Sequence, residues 1–96
     1  MKYIFKPEGF EEGCRLWKEL ILDKAAHAEG MVRMQFFKSA PSALAVGTWK
    51  EKSYAEAFMQ TGAFRELRQK IGPLLAEAPQ SEHWELAEYR EGPAAE

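Results

Sequence analysis

The chain has 96 residues, which is enough for one domain with a single modest core. Apolar residues make up 46% and charged residues 29%, a composition typical of globular proteins and not of disordered or fibrous chains. The formal net charge of −2 gives no electrostatic reason to expect nucleic acid or an anionic membrane surface as a partner.

Targeting and metal-binding signals are also missing from the sequence. It contains no apolar run of about 18 residues and no basic-then-apolar start typical of a signal peptide, so we expect a cytoplasmic protein. The single cysteine, Cys14, has no partner for an internal disulfide. His27 and His83 do not form a zinc-binding spacing, and no glycine-rich phosphate loop is present, so we expect neither a metal nor a cofactor.

The first half of the chain predicts a strand, a helix and a hairpin. Residues 2–6 are rich in β-formers and end before Pro7. Over residues 8–27, Phe10, Cys14, Trp17 and Ile21 recur at helical spacing, which places Cys14 in the core. Residues 31–37 and 43–49 are dense in apolar residues, and a turn over 39–42 makes them a hairpin.

The second half predicts a broken helix and a last strand. The helix begins near Lys52, is interrupted at Thr61 and Gly62, and continues to about residue 75. Residues 83–89 alternate as a strand, and residues 91–96 form a small, polar, flexible tail. Residues 1–90 are therefore predicted to form one domain.

The resulting order β-α-β-β-α-β is that of a ferredoxin-like α+β fold. Right-handed crossovers place both helices on one face of a four-stranded antiparallel sheet and leave the other face bare. Strand alternation directs Val32, Met34, Phe36, Trp84 and Leu86 toward the helices. The bare face would then carry a mixed apolar and polar set: Met31, Arg33, Gln35, Phe37, His83, Glu85 and Tyr89.

A bare face of this mixed kind is typical of a protein interface, and we expect it to pair with a second copy of the chain. Strands two and four lie at opposite edges of such a sheet, so Arg33 would pair with Glu85 or His83 of the other copy. The alternative is an amphipathic sheet that stays open to water.

Residues 43–64, ALAVGTWKEKSYAEAFMQTGAF, resemble the antibiotic biosynthesis monooxygenase superfamily of dimeric α+β barrels. In that family the third strand ends in a tryptophan and a charged residue, then a short helix, a small-residue break and a phenylalanine follow. Trp49, Lys50, Thr61, Gly62 and Phe64 match this layout. The resemblance implies two sheets packed face to face in a homodimer, with a pocket between the sheet and helices of each subunit.

In the haem-degrading branch of that family, the pocket uses an asparagine on the first strand, the tryptophan, and a histidine on the second helix. Trp49 matches the tryptophan, but the chain contains no asparagine, and the histidine position falls at or near Arg68. Haem ligation of that kind is therefore not expected.

The resemblance places a flat apolar pocket beside Trp49, lined by Met34, Tyr54, Phe58, Phe64 and Arg68. One function it suits is cofactor-independent oxygenation of an aromatic or quinol-like molecule, in which Arg68 would hold a phenolate or carboxylate. The other is a non-catalytic dimeric barrel that binds a small ligand or serves as a partner module. Fold does not decide between them.

Overall fold

The computed structural model describes residues 1–93, so the end of the predicted 91–96 tail lies outside the described residues. In chain order, the strands and α-helices are β1 (Lys2–Ile4), α1 (Phe10–Trp17), α2 (Asp23–Ala26), β2 (Met31–Ser39), β3 (Ser42–Trp49), α3 (Lys52–Met59) and α4 (Gly62–Ile71). A π-helical stretch (Lys18–Leu22) joins α1 to α2, and 3-10 turns (Pro7–Gly9 and Gly72–Leu74) precede α1 and follow α4. The α+β class, the hairpin and both helical regions are confirmed.

The sheet is antiparallel and has the order β1-β3-β2, with β3 in the centre. On the helix side, β3 carries Ala43 and Ala45, which are 2% and 7% exposed. Small side chains here let the helices approach the sheet closely, since large ones would hold them away.

The core lies between this sheet face and the helices. Trp17 of α1 stacks on Phe36 of β2, with ring centroids 4.3 Å apart. Ile21, Leu67 and Ile71 complete the helix side and are at most 1% exposed. The predicted apolar stripe of the first helical region, Cys14 included, is buried as expected.

The predicted fourth strand over residues 83–89 is absent from the described residues. The edge of β1 is instead paired with the preceding segment, through bridges from Phe5 to Leu75 and from Lys2 to Gln80. Gln80 lies opposite the first residue of β1. The described residues that follow Gln80 therefore extend past the end of that strand and have no strand of the same chain beside them. Trp84 and Leu86, which we expected to face the helices, are 84% and 67% exposed.

A β-bulge in β2 also corrects the predicted faces. Met31 pairs with Trp49 and Arg33 with Thr48, so Val32 is an extra residue with no partner on β3. Met31, predicted on the bare face, packs against the core. Val32, predicted on the helix side, is 57% exposed. From Arg33 onward the predicted alternation holds, with Met34 and Phe36 against the core.

Candidate functional site

Trp49 lies at the end of β3, and its indole folds back over the sheet. A Cβ atom at Gly47 would be 2.8 Å from Nε1 of Trp49 and 3.2 Å from Cε of Met34. Because residue 47 is glycine, the indole and the Met34 side chain can both lie close to the strand at this position. Two of the predicted pocket residues, Trp49 and Met34, are thereby brought together.

Trp49 begins a row of aromatic rings that crosses from the sheet to the helices. Its ring centroid is 5.7 Å from that of Phe58 on α3, and Phe58 is 6.5 Å from Phe64 on α4. The guanidinium carbon of Arg68 lies 5.7 Å from the Phe64 ring centroid, at cation–π distance. The row therefore ends in a positive charge.

The break between α3 and α4 sets the positions of the last two rings. Thr61 is the N-cap of α4, and its Oγ1 accepts a hydrogen bond from the Phe64 amide at 3.5 Å. The same hydroxyl donates to the Phe58 carbonyl at 2.7 Å. One side chain thus links the two ring-bearing residues across the break.

Tyr54 packs elsewhere, against the turn that enters β2. Gly30 there has a φ of 80°, and a Cβ at this position would lie 2.2 Å from Cγ of Tyr54. Only glycine fits both this backbone conformation and this contact. The structure therefore gives Tyr54 a packing role against Gly30, and we assign it no other.

An open groove of about 490 Å³ lies beside Arg68. Its lining residues are Glu56, Met59, Gln60, Thr61, Arg65, Arg68 and His83. In the part of the chain that the structure describes, neither Arg65 nor Arg68 has a carboxylate within ion-pair distance. The groove can therefore attract an anionic group, such as a carboxylate or a phenolate.

Sequence reasoning found Arg68 but missed Arg65 as a groove residue. The signal was available, because residues three apart on a helix share a face and the two arginines are three apart. The placement of His83 in the groove could not be foreseen, since it depends on the path of a segment that forms no strand.

Except for Met31, which packs against the core, the predicted interface residues of β2 lie on the sheet face away from the helices. Arg33, Gln35 and Phe37 are exposed there, and Phe37 pairs across the sheet with Leu44. Phe37 and Leu44 form a small apolar patch, in which they are 51% and 42% exposed, and Val32, five residues from Phe37 along β2, is a separate apolar residue that is 57% exposed. Arg33 also lies over the ring of Tyr89 of its own chain, with 5.4 Å between the guanidinium carbon and the ring centroid. Its pairing with Glu85 or His83 of another copy stays a prediction.

Among the described residues, the remaining side chains that could bind a metal or act as a nucleophile do not form a site. Within residues 1–93, no three histidine, cysteine or acidic side chains are grouped as metal ligands would be. Cys14 is 8% exposed, and burial raises the pKa of its thiol, so the nucleophilic thiolate is disfavoured. No helix in the described range combines the length and the apolar character needed to cross a membrane.

Sequence comparisons identify no relative for this chain: no family model matches it, and no curated protein matches it. Solved structures do match. A conserved protein from Methanosarcina mazei Go1 has a TM-score of 0.72 at 20% identity, over 80% of this chain and 78% of the other. An antibiotic biosynthesis monooxygenase has a TM-score of 0.71 at 16% identity, over 80% of this chain and 83% of the other. The chain therefore has the fold found in antibiotic biosynthesis monooxygenases.

Proposed function

We propose that this chain is a cofactor-independent monooxygenase that acts, as a homodimer, on an aromatic or quinol-like small molecule. The observation that carries the proposal is the row of rings from Trp49 through Phe58 to Phe64, which ends at the Arg68 guanidinium and the groove. The shared fold with antibiotic biosynthesis monooxygenases supports it.

The chemistry needs an electron-rich anion of the substrate rather than a redox cofactor. Rings along the row would hold the flat face of the substrate, and Arg68 would lower the pKa of its hydroxyl or activated carbon acid. Glu56 and His83 line the same groove and are groups that can accept the proton.

For a hydroxyanthracene-type compound, whose keto form carries an activated CH₂ group, the reaction balances without any other reductant. Loss of a proton gives a carbanion, which forms a carbon–oxygen bond with O₂, and protonation gives a hydroperoxide. Loss of water then leaves a ketone. One oxygen atom ends in the ketone and the other in water, and the substrate supplies all four electrons.

Oxygen uptake with a hydroxyanthracene-type compound tests the proposal directly. We expect uptake by the parent protein above the uncatalysed rate, and a fall of about tenfold or more in Arg68→Gln, because the anion loses its charged partner. Lys70→Gln is the matched control: it removes one cation from the same helix, outside the groove residues. A parent protein inactive across a panel of such compounds would remove the proposal.

A second candidate is a non-catalytic barrel that binds a small ligand or acts as a partner module. It is favoured by the packing of the site, because Gly47 and Phe58 already lie against Trp49, and Phe64 is only 6% exposed. Quenching of tryptophan fluorescence by the aromatic compound without any oxygen uptake would support this second function.

The homodimer rests on the sheet face turned away from the helices. Phe37 and Leu44 form its apolar centre, and Arg33 and Gln35 are exposed on the same face. Pairing of two such faces would remove this apolar surface from water. In that arrangement Arg33 would contact Glu85 or His83 of the other copy, either in place of Tyr89 of its own chain or in addition to it.

A further inference from the structure

The two arginines of the groove are neighbours that have no acidic partner among the described residues. Arg65 and Arg68 are three residues apart on α4, so their side chains lie on one face of the helix, where like charges repel. Glu66 is the one acidic residue within α4, and its carboxylate lies 3.1 Å from Nζ of Lys70 instead. A bound anion would relieve the repulsion between the two guanidinium groups.

The surroundings of the two guanidinium groups differ. That of Arg68 lies over the Phe64 ring, with its carbon 5.7 Å from the ring centroid, at the end of the aromatic row. Arg65 is nearly one turn closer to the start of α4, about 4.5 Å along the helix axis. Residues at this spacing have Cβ atoms about 5–6 Å apart, which is about the distance between substituents on opposite sides of one aromatic ring. One aromatic molecule with two anionic groups can therefore reach both arginines.

The arginines are the strongest hydrogen-bond donors that the groove offers a ligand. The hydroxyl of Thr61 is already used, because it donates to the Phe58 carbonyl at 2.7 Å and accepts from the Phe64 amide. Each guanidinium has five N–H donors in a planar fork, and this fork matches the two oxygens of a carboxylate.

The charge of the groove favours a ligand with one negative charge. Two arginines and Glu56 line it, and with His83 counted as neutral they give a formal charge of +1. A substrate with one carboxylate brings the total to zero, whereas a phosphate ester, at about −1.5 to −2, would exceed it. Transfer of the hydroxyl proton to Glu56 or His83 then moves charge within the groove and leaves the total unchanged.

We propose that Arg65 is a specificity-determining residue, which binds a carboxylate of the substrate while Arg68 binds the oxygen of the reacting ring. The substrate class is then an aromatic hydroxy acid. This inference rests on the proposed function and deepens it, because it names a second anionic group that the substrate must carry. Arg65 holds a group away from the reacting atoms, so it contributes to binding of the substrate rather than to the chemical step.

A comparison of acid and amide ligands tests the assignment. The probes are the four hydroxyanthracene carboxylic acids with the carboxyl group on one outer ring, and the matching carboxamides. Their dissociation constants are measured by quenching of tryptophan fluorescence. For at least one isomer, the parent protein should bind the acid about tenfold more tightly than the amide, because the amide has no charge to pair with Arg65. A parent protein that shows no such preference would overturn the assignment.

Variants then show which arginine recognises the carboxylate. Arg65→Gln should lower the preference to about twofold or less, and Arg65→Lys should keep part of it. Arg68→Gln should weaken the acid and the amide alike, so that the preference stays near tenfold. Lys70→Gln is the matched control, since Lys70 pairs with Glu66 on the same helix and does not line the groove. A preference that survives Arg65→Gln, or that falls equally in Arg68→Gln or Lys70→Gln, would contradict a carboxylate site at Arg65.

Oxygen uptake separates this inference from the proposed function. If both hold, Arg65→Gln should raise KM for the acid about tenfold and leave kcat within about twofold of the parent value. Oxygen uptake at equal KM for acid and amide would overturn the carboxylate site and leave the oxygenase. A preference for the acid that depends on Arg65, without any oxygen uptake, would overturn the oxygenase and leave the carboxylate site.

Discussion

The indole of Trp49 lies so close to Gly47 that a Cβ atom at position 47 would be 2.8 Å from its Nε1 atom. A methyl group there must therefore displace the indole, and with it the contact between Trp49 and Phe58. The position of Trp49, the first residue of the row, therefore depends on the absence of a side chain at residue 47.

Gly47→Ala should accordingly move Trp49 and cost about 1–3 kcal/mol of unfolding free energy through overpacking. Tryptophan fluorescence and urea denaturation would measure the two effects. Gly62→Ala is the control, because nothing lies within 4 Å of a Cβ at that helical position, and alanine favours a helix. Equal behaviour of the two variants would contradict the close contact.

Trp49→Phe distinguishes a residue that lines a ligand pocket from a residue that only packs in the core. It keeps most of the apolar volume and removes the extent of the indole and its N–H. If Trp49 contacts a ligand, the folded variant should bind flat aromatic compounds with altered affinity or oxidise them at a changed rate. Trp17→Phe is the matched control: Trp17 is 3% exposed in the core, so the change should lower stability and leave ligand binding unaltered.

Leu67 tests the helix–sheet core itself. It is 0% exposed, so Leu67→Ala should lower the unfolding free energy by about 2–5 kcal/mol. Leu86→Ala makes the same chemical change where the side chain is 67% exposed, and a monomer should lose less than about 0.5 kcal/mol. Denaturant titrations at protein concentrations below the dissociation constant of the dimer would compare the two variants.

Tyr3 makes stability depend on alkaline pH. Burial raises its pKa from 10.0 to about 12, with the Trp17 side chain acting in the opposite direction. Between these values the unfolded chain loses the proton and the folded chain keeps it, so the stabilising effect is complete below pH 10 and lost as pH rises toward 12. The loss should approach about 3 kcal/mol. Tyr3→Phe should flatten this part of the curve, as thermal or urea unfolding against pH would show, and an unchanged slope would contradict it.

The dimer predicts a solution mass of about twice 11.0 kDa by light scattering. Arg33→Met should then weaken it by more than about 1 kcal/mol, because a carboxylate of the other copy loses its partner. Arg15→Met is the control, since Arg15 pairs with Glu12 and Glu19 on the exposed side of α1. Unchanged dimer affinity in Arg33→Met would argue against the pairing.

The spacing of apolar residues along the chain predicted the helices and the hairpin. The stripe from Phe10 to Ile21 and the apolar run of residues 43–49 each indicate, without reference to distant residues, which side chains of the element are buried. The order of residues along the chain also accounts for the row from Trp49 to Arg68, since Thr61 marks the break between the two helices that carry its later members. The prediction of a last strand was wrong. Alternation in residues 83–89 indicates which side chains would share a face, but it does not indicate whether a neighbouring strand is there to pair with. The groove placement of His83 depends on the same long-range path.

The extra residue in β2 has a consequence for tolerance to length changes. Without Val32, the residues Met31, Arg33 and Met34 would alternate as a regular strand, and Met31 would still lie opposite Trp49. A one-residue deletion at this position therefore leaves both faces of the sheet with the same side chains, whereas deletion of Gln35 would exchange the faces on one side of the cut. The hairpin can thus lose one residue at Val32 and keep the pairing register of β2 with β3.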